Sequence, residues 1–390
     1  SFCTLLAFMR PWRAVGSRAA LQGLPSGGVA VRNQTPAPDP PRRRAVSIYE
    51  HSTLDGLYTV ALESPPANVL SAPLLRDLNG ALALLAEAAV DPGADAGIAS
   101  TKRSKKIKKA TPPADATPTG PSPADVLRER NRPRGLILTS AVDGCFSGGL
   151  DLDVLAAQPM VEPRPFASYW HEFQSVWLAL QRLPVPVVAA INGNCPAAGC
   201  ILATACDARV MLRQSAVGRT YRIGVTATRG GFAAPPWVAA DLSRVTGPRV
   251  AERLLQGGEL IGAEEALEVG LVDAVADTLG SASAPEGMAL PDGPFVDAVK
   301  LWSNAHPRTG CSTLAGRSLD TLLDFVDTPQ FAFWLTKETF RASVTATLPD
   351  TREGRARDAH RFYTSIAKPA TREQLLAYRA SVGKPKSVPG

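Results

Sequence analysis

No aspartate or glutamate occurs between Ala208 and Ala240, in a chain that is otherwise 20% charged. That stretch can contribute no carboxylate to proton transfer. No run of about 18 apolar residues is free of charge, which excludes a helical membrane span by pattern. The six cysteines (Cys3, Cys145, Cys195, Cys200, Cys206 and Cys311) form no paired CxxC set, and the four histidines do not join them at zinc-ligand spacing. No metal site is expected, and the thiols read as reduced and mostly buried. Cys195 and Cys200 lack an activating base beside them in sequence and read as packing residues.

What is present suffices for a globular protein. The 390 residues are 45% hydrophobic, which supports one large domain or two small ones. The net charge of +6 is unevenly spread. Residues 1–45 carry Arg10, Arg13, Arg18, Arg32 and Arg42 to Arg44 against one acid, Asp39. The segment from Met9 is arginine-rich and acid-free, as organelle transit peptides are. A mitochondrial address on the matrix side is expected, with a plastid as second choice. Residues 91–134 form a second basic interruption. A lysine cluster over Lys102–Lys109 precedes a Pro/Ala/Thr-rich tract without hydrophobic period. Such a tract reads as a solvated insert, with RNA or anionic lipid as the chemistry its lysines could meet.

Between these segments the pattern is that of alternating strands and helices. Residues 45–64 predict two short strands turning at Asp55-Gly56. Ser71 can cap a helix with Pro73 in its first turn, and Leu74, Leu75, Leu78, Leu82 and Leu85 give that helix one apolar face. GLILT from Gly135 and VPVVAAIN from Val185 read as strands covered on both sides. Around Tyr169 to Leu183, Trp170, Phe173, Val176, Trp177 and Leu180 share a helical face. Residues 246–276 give two helices separated by Gly257-Gly258. The chain beyond about residue 290 is mainly helical, with an insertion expected near 306–334. These elements predict an α/β layered domain over residues 46–290 and a helical region over 291–390.

Two glycine-bearing turns follow buried strands: CFSGGLDL (Cys145 to Leu152) and INGNCPAAGCILATACD (Ile191 to Asp207). Such turns can aim backbone N–H groups at one point, and a helix starting there adds its positive end. Two N–H groups converging on a thioester oxygen form an oxyanion hole, which stabilises the enolate made when an α-proton moves. With YWHEFQSVWLAL, CDARV, YRIGVTATRGGFAAPPW, GPRVAERLLQ and AEEALEVGLVDAV, these segments resemble, in order, the crotonase (enoyl-CoA hydratase/isomerase) superfamily, and within it the mitochondrial enoyl-CoA delta isomerases.

The resemblance implies a crotonase-type spiral of ββα repeats with a C-terminal helical trimerisation region, and association as a homo- or heterotrimer. It implies acyl-CoA as the ligand and no cofactor. The oxyanion N–H groups fall on Gly148 and on Ala198, where the family usually has glycine. The position of the isomerase glutamate falls on Ala227, and that of the hydratase glutamate on Ile201. A methyl group cannot carry a proton. His171 and Glu172 are the substitutes weighed by analogy with pocket-lining positions, and Asp207 is expected to orient backbone. The expectation is therefore a non-catalytic, structural subunit of a larger mitochondrial assembly, such as a respiratory-chain complex or a mitoribosome. The alternative is an active isomerase or hydratase of fatty-acid oxidation that uses a non-standard base.

Overall fold

The structure is a computed structural model that describes residues 44–51, 54–90, 131–157, 164–279 and 312–382. The arginine-rich segment and the Lys102–Lys109 cluster lie outside the described residues. In the unit that begins at Arg44, β1 (Val46–Glu50) pairs antiparallel with β2 (Leu57–Leu62), as the Asp55-Gly56 turn predicts. The main sheet then runs β1-β2-β4-β7-β9-β11, with every later pairing parallel. Its members are β4 (Gly135–Ser140), β7 (Val187–Ile191), β9 (Ala208–Leu212) and β11 (Ala274–Ala276). Strands β2, β4, β7 and β9 are buried along their whole length, the signature of a parallel sheet covered on both faces.

After each long strand the chain adds one or two short strands and then a helix. β3 (Val69–Leu70) and β6 (Gly149–Leu150) form one small sheet. β10 (Ile223–Gly224), β8 (Gly193–Pro196) and β5 (Gly144–Cys145) form another. Helix α1 (Ala72–Ala89) is capped by Ser71, whose hydroxyl accepts the Leu74 N–H, and buries the predicted leucine face. Helix α2 (Leu152–Ala156) is capped by Asp151. Helix α3 (Arg164–Arg182) packs Trp170, Phe173 and Trp177 against Trp237. Helix α4 (Ala198–Ala205) is buried throughout. A 3₁₀ turn at Ala227–Gly230 then leads to α5 (Pro236–Thr246), α6 (Pro248–Gly257) and α7 (Ala263–Glu268).

The C-terminal part contains α8 (Leu314–Val326), α9 (Gln330–Thr345), α10 (Arg352–Ile366) and α11 (Pro369–Ser381). Of the stretch 306–334, where the sequence predicts an insertion, residues 306–311 lie outside the described residues, and α8 lies against β4, β7 and β9. Its Leu314, Leu319 and Leu322 are buried, so this stretch closes one face of the sheet. Helix α10 brings Phe362 onto Trp170, with ring centroids 4.1 Å apart. Its Asp358 accepts N–H bonds from Trp170, Gln174 and Trp237. Among the described residues, no helix is long and apolar enough to cross a membrane.

Candidate functional site

The two glycine-bearing turns meet at the C-terminal ends of β4 and β7. Ser140 ends β4, and its hydroxyl donates to the Cys145 carbonyl while accepting from Asn68 Nδ2 (2.7 Å each). Asn192, just past β7, donates from Nδ2 to the Ser140 and Val142 carbonyls (3.1 and 3.0 Å). The first turn is thus fixed by two buried asparagines reaching in from other segments. Strands β5 and β8 place Gly144 opposite Gly193. A Cβ on Gly193 would sit 2.0 Å from the Gly144 carbonyl carbon, so only glycine allows this approach. A Cβ on Gly199 would sit 2.6 Å from the Ser147 carbonyl oxygen, which presses the first turn of α4 against the first motif.

Ala198 is the first residue of α4 and is buried. Its N–H has no acceptor among the described residues, as expected for the first turn of a helix. The residue before it, Ala197, has φ 53° and ψ −125°. That is the conformation of the first central residue of a type II′ turn, where glycine is the usual occupant. Ala197 supplies no side-chain cap, but its N–H donates to the Gly224 carbonyl (2.7 Å). Gly149, at φ +92°, lies directly alongside: a Cβ there would be 3.1 Å from the Ala198 nitrogen. The missing side chain of Gly149 is what lets its backbone lie this close to the Ala198 nitrogen.

Gly148, the other expected donor, is not free. Its N–H donates to the Ala67 carbonyl at 2.7 Å. The loop before β3 runs beside the motif because β3 and β6 pair there, and its Ala67 carbonyl accepts this N–H. The same carbonyl accepts from Cys145 Sγ at 3.4 Å. Of the two expected donors, the Ala198 N–H, at the positive end of α4, is the one without an acceptor among the described residues.

Ala227 opens the 3₁₀ turn that follows β10, and β10 pairs with β8, the strand leading into Ala198. The turn thus lies next to the second motif, in the place the alignment of motifs gives it. Thr226, buried, accepts a hydrogen bond from Tyr378 of α11 at 3.2 Å. Helix α11 also reaches α2, where Arg372 donates to the Ala156 and Ala157 carbonyls and Arg379 pairs with Asp153. Ile201 is buried in α4 and brings only hydrocarbon.

Neither substitute base is hydrogen-bonded to the turns among the described residues. The Glu172 carboxylate accepts from Asn79 of α1 at 2.7 Å. His171 lies beside Arg355 of α10, which donates to its carbonyl at 2.5 Å. Burial, and then the Arg355 charge, push the His171 imidazole below its usual pKa. Asp151 is occupied as a helix cap. Asp207 orients backbone as expected, accepting the Val187 N–H at 2.8 Å, and also binds Lys337 and Arg341. Burial pushes the Cys145 thiol up to about 11 and those of Cys200 and Cys206 up to about 12. Among the described residues no cluster of three metal-ligating side chains occurs. Ala197, Gly149 and the Tyr378–Thr226 contact escape sequence reasoning. The PAAG run gives a hint of the first only to a reader who already knows that a II′ turn sits there.

Residues 125–279 match the family model described as enoyl-CoA hydratase/isomerase. Human mitochondrial enoyl-CoA delta isomerase 1 is 40% identical over 164 residues, covering 41% of this chain and 52% of that protein. Crotonyl-CoA hydratase of Syntrophomonas wolfei is 32% identical over 141 residues, 36% of this chain and 50% of its own length. The chain spans about half the length of these curated relatives. The crystal structure of human mitochondrial delta3-delta2-enoyl-CoA isomerase superposes with a TM-score of 0.59 and 26% identity, over 86% of this chain and 97% of the other. An enoyl-CoA hydratase from Bacillus halodurans shares the fold at a TM-score of 0.55 and 17% identity, over 85% and 99%.

Proposed function

We propose that this chain, whose residues 125–279 match the enoyl-CoA hydratase/isomerase family model and whose fold is the crotonase fold, is a non-catalytic relative that holds a thioester oxygen but moves no proton. The observation that carries this reading is Ala227. By the resemblance of the motifs it falls at the position of the isomerase base, and Ile201 at that of the hydratase glutamate. Of the two groups weighed as substitutes, the Glu172 carboxylate accepts from Asn79, and His171 lies beside Arg355, which donates to its backbone carbonyl. The Ala198 N–H at the head of α4 is left to bind an acyl-CoA carbonyl, with the helix dipole behind it. No cofactor enters this reading.

A positioned general base is worth roughly 10²–10⁴-fold, and an isomerisation needs one group to carry the proton both ways. Wild-type protein supplied with 3-enoyl-CoA and 2-enoyl-CoA should show no turnover, whereas Ala227→Glu should acquire isomerase turnover. Turnover by the wild type would overturn the reading. It would return the chain to the active isomerases and hydratases, with His171 as the first residue to replace.

The wider role follows from the same loss. A chain that keeps a folded core without its base serves as a structural subunit of a larger mitochondrial assembly, a respiratory-chain complex or a mitoribosome, in the matrix. The names of its relatives support the mitochondrial part of this proposal. A trimer with itself or with active relatives is the form in which it would join. Sedimentation of a mitochondrial lysate should carry the chain with a large particle, and recovery only as a free trimer would rule the assembly out.

A further inference from the structure

Helix α4 is held in an unusual way. Its N-terminal end is strained and uncapped, since Ala197 adopts a glycine conformation and offers no side-chain oxygen. A helix of two turns has few internal hydrogen bonds to resist unwinding from such an end. Its C-terminal end is, by contrast, tied by three arginines through four hydrogen bonds. Arg244 donates to the Thr204 carbonyl at 2.7 Å. Arg341 donates to the Ala205 carbonyl at 2.7 Å and to that of Cys206 at 3.1 Å. Arg209 donates to the Cys206 carbonyl at 3.2 Å.

Each guanidinium carries its own carboxylate. Arg244 pairs with Asp241 at 2.9 Å, Arg341 with Asp207 at 2.6 Å and Arg209 with Asp273 at 2.6 Å. Lys337 also binds Asp207, at 2.8 Å. The arginines come from α5, α9 and β9, so three separate elements converge on one helix end. Arg209 and Arg341 are each only 5% exposed through their side chains. Orphan carbonyls at a buried helix end need donors, and one or two neutral donors would satisfy them. Burying two charged guanidiniums there carries a desolvation cost that simple satisfaction does not require. What the arrangement adds is rigidity and sign. It fixes the axis and rotation of α4 from the end opposite the ligand, and it places cations at the negative end of the helix dipole.

We infer that Arg341 is a positioning residue for the thioester-oxygen site: by clamping the C-terminal carbonyls of α4 it holds the Ala198 N–H on target, and so links the docking of α9 to ligand binding. Arg244 and Arg209 brace the same end. The inference rests on the reading of Ala198 as the oxygen-binding donor.

The test uses the full chain as wild type, Arg341→Gln, Arg341→Lys and, as a control, Arg182→Gln. The control removes the Arg182–Asp350 pair, which does not touch α4. Crotonyl-CoA carrying ¹³C at the thioester carbonyl is the probe, with affinity from titration and carbonyl stretch from difference infrared spectroscopy. A polarised carbonyl lowers that frequency in the wild type. Arg341→Gln should bind about five- to tenfold more weakly, the loss of about one well-placed hydrogen bond, with the frequency moved back toward its value in solution. Arg341→Lys keeps the charge but not the fork that spans two carbonyls, and should fall between. Arg182→Gln should keep the wild-type frequency whatever its stability. Wild-type frequency and affinity in both Arg341 variants would overturn the positioning role alone. If Arg341→Gln does not fold, a wild-type frequency in Arg341→Lys is enough to overturn it. A wild type that leaves the carbonyl at its solution frequency would remove the oxygen-site reading, and this inference with it.

Discussion

Replacing Ala197 by glycine should stabilise the protein, against the usual direction of an alanine-to-glycine change. At φ 53° and ψ −125° the alanine Cβ is held in a region L-residues rarely enter. Residues in such regions cost of order 1–3 kcal/mol. Glycine removes that strain but adds about 0.4–1 kcal/mol of unfolded-state entropy. The half-buried methyl contributes less than the ~0.8 kcal/mol of a fully buried carbon. The balance favours the variant by about 1 kcal/mol, read as a higher urea midpoint at unchanged slope. The same geometry sets a second quantity. A Cβ on Gly149 would lie 2.8 Å from the Ala197 Cβ, so Gly149→Ala is strained both by its own φ of +92° and by this contact. In the Ala197→Gly background the contact disappears. A double-mutant cycle should therefore show a coupling of about 1 kcal/mol, within the range for residues in contact. A destabilised Ala197→Gly, or strictly additive variants, would refute the argument that α4 starts from a strained glycine position.

Asp358→Ala should cost about 3 kcal/mol, because two indole N–H groups and one amide N–H lose their shared acceptor inside the aromatic cluster; chemical denaturation measures it, and a loss below about 1 kcal/mol would contradict it. Lys337 gives a pH signature. Burial lowers its pKa from 10.5 to about 8, against the opposing pull of Asp207. The unfolded chain therefore binds more protons than the folded one between about pH 8 and 10.5. This lysine's contribution to stability rises across that window, is complete above it and is lost below pH 8. The buried thiols, raised from 9.0, act in the opposite direction above pH 9. The lysine is thus read best between pH 8 and 9, as a rise in stability that Lys337→Met abolishes; an equal slope in both proteins would refute it.

How much of this was legible beforehand depended on the range of the interaction. The Asp55-Gly56 hairpin, the Ser71 cap and the leucine face of α1 are written in neighbouring residues, and the structure has all three. The missing carboxylate at Ala227 is also a local fact. That α8 covers the sheet is not written locally, because its partners are strands far back in the chain. The same holds at Gly148, since nothing near it in sequence shows that the Ala67 carbonyl will accept its N–H.

By itself the sequence determined which groups are absent: no carboxylate from Ala208 to Ala240, and no zinc-type cysteine pattern. It also determined where strands, helices and tight turns form, because periodicity and turn chemistry act over a few residues. Only the tertiary structure decided which N–H stays open, that of Ala198 and not of Gly148. It alone set the backbone of Ala197 and gathered Arg209, Arg244 and Arg341 at one helix end. Those outcomes depend on packing between segments remote in sequence, where one carbonyl or one absent Cβ decides whether a polar group faces a partner or the site.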